Sequence, residues 1–389
     1  MKLSRYESLA PFMTGNVKLL ISDSERHADM LYVSGLFVPD PFVVIGLHGK
    51  WHGFFSPLEV DRAKKQSRLN HVHLDTQWHE KAVDQGWGAG LAGVAAAFLH
   101  EHRIRLIEVP ADFPLSYAQQ LSAWGFRVRP VEGTLFPERA VKTAREIKWL
   151  QQAEHVARSA MRVAERFLAA CTVDNNGILL DPANEKKLKS RHLRAAIEAH
   201  IISRGAIPSH TIVACGREGA DPHNIGSGYL RAGQPIIIDI FPRMQATGYW
   251  GDMTRTYVKG KAPDQVRRMY RAVREAQEIG LGMVKAGVNG ADIHRAICSY
   301  FESAGFPNRI RRGRQCGFFH GTGHGVGLDI HESPRISQHG QILEEGNVVT
   351  IEPGLYYPGI GGVRLEDLVV VRRDGCDNLT RHPRRLAIP

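Results

Sequence analysis

The sequence predicts an α/β domain over residues 1–135 followed by an α+β domain over 143–389, the latter an antiparallel sheet covered by helices. Three observations carry this expectation. The 389 residues give ample chain for two cores. The β-branched runs of the second part come in adjacent pairs, as hairpins would, instead of one strand per helix. Between those pairs, apolar residues recur at helical spacing.

In the first domain, VVIGLH (43–48) and RLIEVP (105–110) are short apolar runs bounded by turn residues and read as strands. AGLAGVAAAFLHEH (89–102) is alanine-rich and reads as a helix. Gly88, Gly90 and Gly93 spell GxGxxG there, with Glu108 some distance on. A dinucleotide fingerprint needs a strand running into that turn, and KAVDQGW precedes it, so nucleotide binding is not expected. NHVHLDTQWHE carries His71, His73 and His79 without carboxylates at ligand spacing, and reads as a strand and its exit loop.

GTLFPERAVK (133–142) has the composition of a linker. Thr143 and Glu146 then form a capping-box signature. Beyond them Ile147, Leu150, Ala153, Val156, Ala157, Ala160, Val163 and Phe167 mark a long amphipathic helix. A second helix is expected over about 185–203 with Leu193, Ile197 and Ile201 inward, and a third from Pro263 to about Ala286. The fourth, GADIHRAICSYFESAG, ends at Gly305. HTIVACG, PIIIDIF, TRTYV, NVVTIEPG and VRLEDLVVV read as the strands.

Composition narrows the function. A hydrophobic share of 43% with 23% charged residues describes a globular protein, and no run reaches membrane-spanning length. The stretch MKLSRYESLAPFMTGN has no apolar segment of signal-peptide type, so a cytoplasmic protein without membrane partners is expected. Five scattered cysteines (171, 215, 298, 316, 376) without a CxxC pair argue against a disulfide framework and a cysteine zinc site. The net charge of +10 includes one basic cluster, RIRRGR at 309–314, with no nucleic-acid module beside it. A solvated basic loop is the expectation, and nucleic acid is not an expected partner.

The chemistry centres on FFHGTGHGVGLDIHESP (318–334), which holds His320, His324 and His331. Gly321, Gly323, Gly325 and Gly327 remove side-chain bulk around His324 and are expected to relax its backbone angles. Asp239 ends an apolar run and Asp252 precedes one; Glu352 closes VVTIE and Glu366 lies inside VRLEDLVVV. Carboxylates embedded in apolar strands need compensation, which two divalent cations would supply: four negative charges against four positive, with a neutral His324 completing the set. Four oxygen-donor residues, one nitrogen and no sulfur favour Mn(II), and Co(II), Zn(II) or Fe(II) would also suit. Paired metals of this kind activate a bridging water and polarise a carbonyl, which fits hydrolysis of an amide or related bond.

The order Asp, Asp, HGTGHGVGLDIHE, TIEPGLYYPGIGGVRLED resembles the creatinase, aminopeptidase P and methionine aminopeptidase superfamily of pita-bread metallopeptidases. Within it the nearest likeness is to Xaa-Pro dipeptidases and Xaa-Pro aminopeptidases. The resemblance implies a curved, helix-covered antiparallel sheet as the catalytic domain, preceded by a smaller creatinase-like α/β domain. It makes Asp252 and Glu366 bridging ligands, places Asp239 on one metal and His324 with Glu352 on the other, and gives Glu352 the role of general base. It implies catalytic or substrate-side histidines in His331 and His223, a pocket-lining His320, and Arg364 on the substrate side, beside the bridging glutamate. It further implies small peptides as substrates, cleaved before proline, and a homodimer. A metal-dependent hydrolase or lyase of a small nonpeptide substrate is the alternative, and a noncatalytic binding protein a third reading. One departure stands out: Asp239 and Asp252 are thirteen apart where the family has eleven, an even insertion that preserves strand parity.

Overall fold

The computed structural model describes residues 17–389. The chain forms two compact units, the first ending at Pro137 and the second running from Glu138 to Pro389.

In the first unit six strands form one mixed sheet, in the order His71–Leu74, Lys50–Phe55, Phe42–Leu47, Val17–Ser22, Leu106–Val109, Arg127–Pro130. The helix Leu91–Glu101 covers it, with Val94, Ala95, Phe98 and Leu99 packed against Leu19, Val43, Ile45 and Ile107. What precedes the GxGxxG turn is the helix Thr76–Asp84, which removes the geometry a dinucleotide would need. That helix is also a correction, since the residues after His71–Leu74 read as loop in the sequence. His71 and His73 lie on an edge strand, where His73 Nε2 is 3.1 Å from His52 Nδ1 and the His52 and His71 rings stack at 4.5 Å.

The second unit has two larger sheets, each under a pair of helices, with small two-stranded pairings beside them. A four-stranded sheet has the order Ile212–Cys215, Ile236–Ile240, Met253–Lys259, Ala387–Ile388. Against it pack the helices Ala144–Ala170 and Ser190–Ser203, whose Ala157, Met161, Leu193 and Ile197 meet Val213, Ile236, Ile238 and Met253. A five-stranded antiparallel sheet has the order Glu332–Ile336, Gly323–Gly325, Val348–Ile351, Asp367–Val371, Cys376–Asn378. It is covered by Asp264–Met283 and Gly290–Ser303 through Val273, Ala276, Ile293 and Ile297.

The long helix begins as its capping box requires: Thr143 Oγ1 accepts from Glu146 N at 3.3 Å, and Glu146 Oε2 accepts from Thr143 N at 2.8 Å. Its buried stripe drifts onto Ala164 and Leu168, leaving Val163 and Phe167 half-buried. The other helices are shorter than their patterns suggest. The second starts at Ser190, because Leu188 bonds back to Leu179 and Leu230 in an extended stretch. Pro263 caps the third helix from an extended conformation, and the fourth ends at Ser303.

VRLEDLVVV is two strands, not one. Gly361–Arg364 pairs with Gly354–Tyr357 in a separate hairpin, whereas Asp367–Val371 belongs to the five-stranded sheet. The break falls at Leu365–Glu366, where Glu366 N–H donates to Thr254 O at 3.1 Å on the other sheet. The five cysteines are free, and among the described residues no helix is long and apolar enough to cross a membrane.

Candidate metal centre

Strand register brings the first two acids together. Asp239 pairs with Thr254 across antiparallel strands, and Asp252 lies two residues before Thr254, so both carboxylates emerge on one face. Between them the chain makes a detour through Arg243–Met244, which pairs with Ala206–Ile207. Gly251 is required for the approach to the long helix: a Cβ there would lie 2.6 Å from the backbone of Ala153. Asp252 N–H then donates to Glu154 Oε2 at 2.9 Å.

The five-stranded sheet contributes the histidine. Gly323 admits it by close packing: its Cβ would fall 1.9 Å from Thr350 O on the neighbouring strand. None of Gly321, Gly323, Gly325 and Gly327 has a positive φ, so these glycines serve space and not unusual backbone angles, contrary to expectation. His324 N–H donates to Thr350 Oγ1 at 3.2 Å, and Nδ1 lies 3.2 Å from Gly325 O. In the neutral ring that carbonyl fixes Nδ1 as the donor, so Nε2 turns its lone pair on the acids. It is 3.4 Å from Glu352 Oε1 and 3.7 Å from Asp252 Oδ2. Burial, aided by His331, pushes the His324 pKa down to about 3, so these contacts join a neutral imidazole to carboxyl groups.

Asp252, His324 and Glu366, all buried, bring one potential ligand atom each within 4.8 Å of one another. Glu352 N–H is held by Thr322 O at 2.7 Å, and Glu366 Oε2 accepts from Thr254 Oγ1 at 2.7 Å. Asp239 lies outside the trio. Its Oδ2 accepts from Arg364 Nη2 at 2.6 Å, while its Oδ1 is buried without a hydrogen-bond partner. An orphaned carboxylate oxygen beside a cluster of three ligands is what a cation-binding site requires.

Electrostatics point the same way. Burial first, then Glu366, Asp239 and Glu352, raise the Asp252 pKa well above its usual range. Burial, then Glu352 and Asp239, do the same to Glu366. Burial drives Glu352 up to about 8, against the pull of Arg364. Without cations, burial and mutual repulsion shift these acids toward their protonated forms.

The cavity in front of the acids has a volume of about 460 Å³, and His223, His320 and His331 all line it. The His331 ring stands edge-on to His324 at 4.3 Å, and His223 is exposed. Two of the lining residues are also held by the protein's own hydrogen bonds. His320 is locked into the wall, with Nδ1 2.7 Å from Gly321 O and Nε2 2.9 Å from Tyr356 OH. Arg364 is buried and already engaged: besides Asp239 it donates to Tyr356 OH at 2.9 Å, Thr254 Oγ1 at 3.3 Å and Pro222 O at 3.3 Å. It therefore orients Asp239 from the wall of the cavity. Although burial opposes its charge, Tyr356, Asp239 and the glutamates hold it protonated.

Sequence reading overlooked Tyr356, Thr254 and Glu154. Glu154 gave a signal, since it follows Ile147 and Leu150 on the apolar stripe of the long helix and is fully buried. Tyr356 and Thr254 gave none, because their partners are set by cross-strand pairing.

The chain matches the model of Metallopeptidase family M24 over residues 148–373. The uncharacterized peptidase YqhT of Bacillus subtilis is 32% identical over 263 residues, covering 67% of this chain and 67% of that protein. An Xaa-Pro dipeptidase of Pyrococcus horikoshii is 29% identical over 289 residues, covering 73% and 75%. The solved structure of an Xaa-Pro dipeptidase from Bacillus anthracis superposes with a TM-score of 0.80 at 26% identity, covering 96% of this chain and 95% of that one. The two helix-covered sheets of the second unit are accordingly the pita-bread fold.

Proposed function

Because the chain belongs to metallopeptidase family M24, we propose that it uses two divalent cations to hydrolyse the peptide bond preceding proline in small Xaa-Pro peptides. The observation that carries the metal reading is the orphaned Oδ1 of Asp239 beside the buried cluster of Asp252, His324 and Glu366. The proline preference is supported by the Xaa-Pro dipeptidase among the relatives.

Asp239, Asp252, His324, Glu352 and Glu366 would together hold the two ions. Bound there, the cations would supply Lewis acidity toward the scissile carbonyl and a water acidic enough to attack at neutral pH. The donor set suits Mn(II) best. Glu352, in the wall of the cavity, accepts the proton of the attacking water and returns it to the leaving nitrogen. His331 and His223 face the same space and donate hydrogen bonds to the oxyanion or to the substrate. Arg364 keeps Asp239 oriented.

We read residues 1–135 as a creatinase-like domain and 143–389 as the catalytic domain, and take the protein to be a cytoplasmic homodimer; sedimentation tests the assembly. Turnover of Xaa-Pro dipeptides, Xaa-Pro-Yaa tripeptides and non-proline peptides with added Mn(II) tests the activity. Cleavage of non-proline peptides alone would remove the proline preference. Cleavage of none would favour a small nonpeptide substrate.

A further inference from the structure

His331 sits on a loop with little ladder of its own, and the way that loop is held has no counterpart in the ligand set. The chain leaves the strand Gly323–Gly325, turns, and returns as Glu332–Ile336. Glu332 opens the return strand beside His331. Its Oε1 accepts from Lys142 Nζ at 2.5 Å, and that lysine side chain is 1% exposed. Its Oε2 accepts from Arg139 Nη2 at 2.8 Å, and the same nitrogen reaches Asp329 Oδ2 at 2.8 Å. Gly327 leaves room for this carboxylate, since a Cβ there would lie 2.4 Å from Glu332 Oε1. From the other side Trp250, two residues before Asp252, donates its indole N–H to Leu328 O at 3.0 Å and its backbone N–H to Gly327 O at 3.1 Å.

A buried lysine–glutamate pair is a weak source of stability, because desolvating both charges offsets most of their attraction. It is an effective way of fixing one geometry. A group that must meet a developing charge has to be held to a fraction of an ångström, and a misplacement of about 1 Å costs up to about a hundredfold in rate. We propose that Glu332, held by Lys142 and Arg139, is a positioning residue that fixes His331 toward the cavity. The inference rests on the reading of His331 as a hydrogen-bond donor to the reacting groups.

The test is a double-mutant cycle on turnover of an Xaa-Pro dipeptide, with bound Mn(II) and thermal unfolding measured on each preparation. Glu332→Gln should lower kcat by about tenfold while KM and bound metal stay within about twofold. Arg139→Gln frees the loop without unpairing Lys142 and should do the same to a smaller degree, which keeps the test open if Glu332→Gln does not fold. In the His331→Ala background either substitution should cost nothing further. An equal further loss there would overturn the proposal, as the glutamate would then act by another route. Wild-type kcat in both Glu332→Gln and Arg139→Gln, with His331→Ala slow, would overturn the clamp alone. Wild-type kcat in His331→Ala would overturn the reading of His331 itself, and the clamp with it.

Discussion

Burial and the acids around them raise the pKa values of Asp252, Glu352 and Glu366, so cations compete with protons at this cluster. Affinity should therefore climb with pH toward about 8, where Glu352 ionises. Titration calorimetry of Mn(II) at pH 7 in buffers of different ionisation enthalpy should show net proton release; identical heats in both buffers would contradict these shifts. Asp252→Asn removes a charge shared with the neighbouring acids and should lose most bound metal, read by metal analysis after gel filtration. His331→Ala should keep its metal and lose about a hundredfold in turnover, the usual cost of one oxyanion donor. Asp239, Asp252, Glu352 and Glu366 stood out in the sequence because a carboxylate inside an apolar strand must be balanced by a cation or a proton. That Tyr356 and Asp239 take up hydrogen bonds of Arg364 and His320 was not legible, because those partners are set by tertiary packing.

Elements carry the site through close approach. The helix Ala144–Ala170 meets the Asp252 strand at Gly251, where there is no room for a methyl. Gly251→Ala should cost about 1–3 kcal/mol in urea unfolding, the usual penalty of overpacking, and should weaken metal binding as the Asp252 N–H moves from Glu154. The helices were legible from their 3.6-residue period and from Thr143, but their ends were not, because tertiary pairing of Leu188 overrode a helical pattern. The edge strand His71–Leu74 makes a different prediction. Burial, then His71, His73, His102 and Lys50, lower the His52 pKa to about 4. A histidine whose folded pKa is depressed contributes stability that is present above its unfolded pKa of about 6.5 and is lost as pH falls through its folded value. Unfolding of this unit, followed by hydrogen exchange at Val43 and Ile45, should become easier between pH 6.5 and 4. His52→Phe should flatten that dependence, and an unchanged slope would clear His52 of it.

At the scale of the whole chain, the stretch 133–142 is less free than its composition suggests: Leu135 and Phe136 are buried, and Arg139 and Lys142 are tied to Glu332. Glu132 and Glu138 remain exposed, and a glutamyl-specific protease should separate the two units there. Intact chain after cleavage elsewhere would argue against a boundary in this stretch. The break at Glu366 has a consequence for how the molecule assembles. Thr254 and Glu366 lie 112 residues apart in sequence, yet Thr254 donates to that carboxylate, and His324 comes from a different sheet than Asp239 and Asp252. Loop closure over such separations is slow, so the cation site is among the last things the folding chain completes. After dilution from denaturant, uptake of metal should lag behind the return of helical signal, and the cation should slow unfolding far more than it hastens refolding.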